Sequence, residues 1–150
     1  MRPLSLVQAV QAKIKTLSDY GDRVFIVPSI VGLVLMESYE FPLVGVIYRP
    51  GNIEDLARNH YFEHEVDVVI LQSNWKEQEV VIGNSSRKGL LKLYEELFAL
   101  LKDETFDSSL DPPMDNVFFK KTIGIKDYKA IGGQGLSALI GFTLVYQESV

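Results

Sequence analysis

The sequence predicts an α+β fold: a four-stranded antiparallel sheet with two main helices packed on it. Three observations predict it. Two segments repeat apolar residues at spacings of three and four, the period of a helix with one buried face. Other segments alternate apolar and polar residues with period two, as strands with one buried and one wet face do. Short turn-rich connections join those strands in pairs, which favours antiparallel neighbours. The chain has 150 residues, a length that fits one domain. Such a chain buries roughly two-thirds of its unfolded surface, and 47% hydrophobic residues supply the core without a metal or disulfide staple.

In chain order, Leu6, Val7, Val10, Ile14 and Leu17 form one helical stripe, with Gln8, Gln11, Lys13 and Lys15 mostly opposite. Pro3 suits a first helical turn and Asp19-Tyr20-Gly21 reads as a stop, so the first helix is predicted at about 4–18. Residues 24–27 read as a short strand restricted by Pro28. Residues 30–36 read equally as helix or strand. Residues 37–42 read as a polar turn, and 43–49 as a strand closed by Pro50-Gly51-Asn52. Residues 53–59 hold at most a helical turn.

The cleanest strand is 61–72. Phe62, His64, Val66, Val68 and Ile70 occupy one face, and Glu63, Glu65 and Asp67 the other until Val69 and Leu71 replace them. Gly83-Asn84-Ser85-Ser86 announces a second helix at about 86–102 with a serine cap, striped by Leu90, Leu91, Tyr94, Leu97, Phe98 and Leu101. A polar loop at 103–116 follows, then a strand at 117–126, a glycine-rich hairpin tip at 127–135 and a last strand at 136–147. Both helices are expected on one face of the sheet.

Composition excludes several kinds of chemistry. The absence of cysteine removes disulfides and thiolate metal sites. A net charge of −5, from 20 acidic and 15 basic residues, gives no overall field for nucleic acid, and no lysine–arginine run marks a local one. The longest apolar stretch, 30–36, falls far short of the ~20 residues that span a bilayer, and residues 1–20 carry no signal-peptide pattern. No membrane partner is expected, and the protein is expected to begin in the cytoplasm.

The candidate site motifs are each met by a plainer reading. His60-Tyr61-Phe62-Glu63-His64-Glu65 is the only cluster resembling a metal site. On a strand, however, positions 60 and 64 lie ~13 Å apart, too far for one ion. His64 then packs at a sheet margin and the acids are solvated. Gly83-Asn84-Ser85-Ser86-Arg87-Lys88-Gly89 sits at a helix start but lacks the order of a phosphate loop. Gly132-Gly133-Gln134-Gly135 links two strands and opens no helix, unlike a dinucleotide fingerprint. No nucleophile elbow is present. Catalysis, a cofactor and a metal are therefore not expected.

Two patterns point to assembly. Glu63, Glu65 and Asp67 on one strand face Lys120 and Lys126 on another if the two are neighbours, in one subunit or between subunits; simple solvation is the equal alternative. Apolar residues also occupy both faces of several strands. Phe118 opposes Phe119, Leu139 and Val145 oppose the Ile140/Phe142 face, and Val69 and Leu71 oppose Val68 and Ile70. Two helices cannot easily cover both faces, so a partner surface, or the segment 30–36, is expected to cover the second.

The order of elements, with a few local words, resembles the tail terminator (tail completion) proteins of long-tailed bacteriophages. The words are the amphipathic first helix, Gly21-Asp22-Arg23-Val24-Phe25, Val27-Pro28 and Phe41-Pro42-Leu43-Val44. They continue through the charged alternating strand, the leucine-rich helix and the closing Ala138-Leu139-Ile140-Gly141-Phe142-Thr143-Leu144-Val145-Tyr146. The interval from Pro28 to Phe41 is longer, and 30–36 more apolar, than the family pattern. The resemblance implies a homo-hexameric ring that sits on the last ring of tail tube protein, stops elongation and meets the head connector or stopper protein. It implies no catalysis and no cofactor. DNA would pass through the bore without specific binding, which an acidic subunit suits. The protein would be assembled in the host cytoplasm and reside in the virion, at the head–tail junction. Subunit contacts would come from the tip, with Asp127, Tyr128, Lys129, Ile131 and Gln134, from a turn at 72–78 with an exposed Trp75, and from the loop at 103–116. Two other readings stand beside it: a different head–tail or tail–baseplate adaptor, and a small-molecule-binding or enzymatic α+β domain.

Overall fold

The computed structural model describes residues 1–36, 40–50, 61–75, 77–129 and 136–149. Its elements are α1 (Pro3–Ile14), β1 (Val24–Ile26), α2 (Ile30–Val34), β2 (Leu43–Pro50), β3 (Tyr61–Trp75), α3 (Glu77–Ile82), α4 (Leu90–Leu101), β4 (Asn116–Lys129) and β5 (Leu136–Ser149). One sheet runs in the order β1-β2-β3-β5-β4. All its pairs are antiparallel except β1 with β2, which is parallel. The fold is α+β as predicted, but the sheet is five-stranded and mixed, not four-stranded and antiparallel. The difference comes from Val24–Ile26, which joins the sheet because residues 27–42 make a crossover long enough to return the chain to the same end.

The helical face of the sheet holds the main core. Leu6, Val7, Ala9, Val10 and Ile14 of α1 and Leu90, Leu93, Leu97 and Leu101 of α4 are buried there against Val44, Val46, Val66, Val68, Ile70, Ile140, Phe142 and Leu144. The first helix ends at Ile14 rather than 18. Thr16 and Leu17 donate to carbonyls only three residues back, so the last turn tightens and then stops. The second starts at Leu90, not 86. Asn84 Oδ1 takes the backbone N–H groups of Ser86 (2.9 Å) and Arg87 (3.0 Å), holding the serines in a turn, and Gly89 occupies the cap position. The stripe accordingly runs through Leu93, while Leu91 lies 44% exposed. Tyr94 and Phe98 flank it and meet Phe142 edge-on at 5.5 and 5.4 Å.

The predicted polar loop is more firmly anchored than its composition suggests. Phe106, Leu110 and Met114 are buried in the main core. Leu110 N–H donates to Phe106 O at 2.8 Å and Met114 N–H to Thr105 O at 2.9 Å. Phe106 holds φ +63, a left-handed conformation that costs a side-chain-bearing residue about 1–2 kcal/mol, and burial of its ring 5.8 Å from Tyr146 offsets that cost.

On the opposite face, of the two covers expected for Val69, Leu71 and Leu139, a partner surface or the segment 30–36, the structure supplies the second. They cluster with Leu33, Leu43 and Ile47 beneath Phe25, Val27, Ile30, Val34, Met36 and Phe41. Residues 30–34 are helical, with Ser29 Oγ accepting from Gly32 N–H at 3.2 Å as cap. Gly45 lets this short helix seat: a Cβ there would lie 3.0 Å from Leu33 Cδ2. Gly141 serves the same end in the sheet, since a Cβ on it would lie 2.4 Å from the Val68 carbonyl oxygen.

Candidate assembly surface

Among the described residues β4 has one sheet neighbour, β5, and its outer edge is open. It is 14 residues long. Long open edges invite strand pairing with other chains unless they are interrupted or charged. This one is both. Its register against β5 shifts between Phe119 and Lys121 and again between Ile123 and Lys126, and Lys120, Lys121, Lys126 and Asp127 are exposed along it. Between the charges stand three large apolar side chains: Phe118 at 40%, Phe119 at 45% and Ile125 at 43% exposure. Phe118 and Phe119 project from opposite faces. Phe119 rests edge-on against Phe98 at 5.6 Å. Phe118 pairs in register with Val145, outside the cluster that residues 25–36 and Phe41 cover.

The rest of the opposite face is held by charge. Lys120 donates to Glu65, although β5 lies between their strands. The pair crosses β5 at the level of Val145, which pairs with both Glu65 and Phe118. Of the expected opposition of acidic and basic strands, the one pair Glu65–Lys120 forms among the described residues, and the two strands are not neighbours. Asp67 departs further from expectation. It is fully buried rather than solvated, accepts from Thr143 Oγ1 at 2.6 Å and lies 2.5 Å from Arg49 Nη2. Its neighbours in the sheet are Ile47 and Thr143, so the strand period placed its face correctly but said nothing of the arginine two residues along β2.

His64 is likewise buried, not at a margin. Its Nδ1 lies 2.8 Å from the Tyr48 hydroxyl and its Nε2 2.8 Å from Glu148 Oε2. Glu148 also receives Arg2 Nε at 2.6 Å and the Arg2 backbone N–H at 3.1 Å, and Arg2 Nη2 donates to Pro112 O at 2.6 Å. Burial alone would raise the Glu148 pKa, but the Arg2 and His64 hydrogen bonds outweigh it and hold the carboxyl below its ordinary value. A carboxylate only accepts, so Nε2 carries the proton of the bond to Glu148, and Nδ1 lies against the Tyr48 hydroxyl. Burial first, and the Glu148 charge second, push the Tyr48 pKa up, so the phenol stays protonated. The chain Tyr48–His64–Glu148–Arg2 therefore ties β2, β3, β5 and the start of α1 together, with no activated nucleophile in it. Both His64 nitrogens are occupied, and His60 lies outside the described residues. No local signal could have assembled this group, because its members come from the two ends and the middle of the chain.

In the 83–89 segment Lys88 donates to Glu96 (2.8 Å) and Asp19 (3.2 Å), and the Glu96 bond chiefly raises its pKa. Its charge is spent within the protein. Of the sequence-predicted contact residues, Asp127 is exposed in β4, where its backbone pairs with Ala138. Tyr128 and Lys129 also belong to β4, pairing with Ser137 and Leu136, so the strand runs past the predicted start of the tip. Ile131 and Gln134 lie outside the described residues. Trp75 is not in a turn: it ends β3 and pairs with Leu136 past a register shift, and α3 follows where the turn was expected.

No protein-family model matches this sequence, and no curated protein matches it.

Proposed function

We propose that the chain is a virion structural protein, a phage tail terminator that caps the tail tube as a ring, ends elongation and forms the tail side of the head–tail junction. The observation that carries this reading is β4: a long open edge with Phe118, Phe119 and Ile125 exposed between lysines. Exposed aromatic and aliphatic side chains in a charged frame are the make-up of a docking surface, the lysines and bulges discouraging indiscriminate edge pairing. In this reading the partners are further copies of the chain, the tail tube protein and the head connector, and DNA passes without being held. The direct test is to add the purified protein to polymerising tail tube subunits and measure tube lengths by electron microscopy. Shortened tubes with the protein at one end support the terminator. Unchanged lengths and no co-sedimentation sink it, and binding to connector rather than tube would mark another head–tail adaptor.

A second reading, a small-molecule-binding or enzymatic domain, has the Tyr48–His64–Glu148 chain in its favour. Binding of a metabolite by the monomer, abolished by Tyr48→Phe in a folded protein, would support it over the terminator.

A further inference from the structure

The basic edge and the acidic loop of this protein are two halves of one contact, made between copies. We propose that β4 of one copy docks against the loop at 103–115 of a second copy, head to tail. The proposal rests on the self-assembling reading above and names the surface that β4 meets.

Lys121 and Lys126 are exposed on β4 and make no ion pair among the described residues, and Asp127 is the one exposed acid beside them. In a chain of net charge −5 this strip is a local excess of positive charge. The complementary excess lies in the loop. Asp103, Asp107, Asp111 and Asp115 are all exposed there, and none makes an ion pair among the described residues; Glu104 alone is paired, with Lys13 at 3.9 Å. Within one copy most of the strip lies away from the loop: the loop adjoins the start of β4, and Asn116 and Lys126 pair with Gln147 and Leu139, eight residues apart on β5, about 27 Å, roughly three Debye lengths at physiological salt.

The loop is also prepared for docking. Phe106, Leu110 and Met114 fix it in the core and Arg2 holds the Pro112 carbonyl, so little freedom is lost when a partner seats on it. A two-fold contact of β4 with β4 would instead oppose two strips of the same net sign, which is unfavourable. A surface that avoids itself and fits a different patch of the same molecule makes a heterologous contact, which generates rings when the rotation closes.

Sedimentation of the full chain tests this. The wild type should self-associate, more weakly at high salt. K121E/K126E and D107K/D111K should each weaken association about tenfold or more, while circular dichroism shows both folded. A chain carrying all four changes should recover association, as should an equimolar mixture of the two double variants. Association untouched by D107K/D111K, or no recovery in the four-change chain, overturns this contact. So does a wild type that stays monomeric at every concentration and salt. The terminator reading is judged separately, since it falls only if tube lengths are also unaffected.

Discussion

The two faces of the sheet are built on different principles. The helical face is covered by two long helices and an anchored loop, and its side chains form one continuous apolar cluster from Leu6 to Tyr146. The opposite face is divided. Its upper half is dry beneath a five-residue helix and the strands around it. Its lower half has Asp67 with Arg49 and Thr143, Glu65 with Lys120, and Phe118 left partly bare. One face is held by redundant apolar burial, the lower half of the other by ion pairs and hydrogen bonds.

That contrast can be broken in graded steps. Leu97→Ala, in the centre of α4, should cost about 3–4 kcal/mol in urea unfolding, since a fully buried leucine leaves a cavity the long helix cannot close. Leu33→Ala should cost about 2 kcal/mol, because the short helix above the second face can settle inward. Equal losses at both sites would show that the two faces do not differ as described. Asp67→Ala should cost about 1–3 kcal/mol by leaving the Thr143 hydroxyl and the Arg49 guanidinium without their acceptor. Acid should act through the helical face. The folded pKa of Glu148 is depressed, so its contribution is complete above the ordinary glutamate value of 4.5 and is lost as pH falls through the lower, folded value. The urea midpoint should therefore drop below about pH 4.5, and Glu148→Gln should flatten that decline. The smallest effect belongs to Phe118→Ser, within about 0.5 kcal/mol for the monomer, but with weaker self-association. Loss of stability without loss of association would make Phe118 a packing residue.

What was legible in the chain was local. The α1 stripe was read correctly because its positions repeat within the segment itself. The α4 stripe was read in nearly the right phase, erring at Leu91 because a leucine-rich helix offers two adjacent stripes and only the sheet beneath selects between them. Residues 30–36 could not be resolved as helix or strand, since seven apolar residues suit either, and the space above Gly45 decided for helix. The same limit applied to Asp67. Period two told which face it occupies, not that Arg49 and Thr143 would enclose it.

By itself, the sequence determined the α+β class, the two long amphipathic helices, the faces taken by the residues of β3 and β5 and the excess of lysine on one strand, but not the faces in β4, where two register shifts break the alternation. Those properties follow from side chains a few positions apart, whose geometry is set by the backbone period. Only the tertiary structure decided that β1 runs parallel to β2 and that residues 25–36, with Phe41, cover part of the second face. It also brought Glu65 and Lys120 together across β5, and set Tyr48, His64, Glu148 and Arg2 in one chain. Partners of that kind are chosen by competition among segments far apart in sequence, and the spacing of residues within any one segment carries no record of the winner.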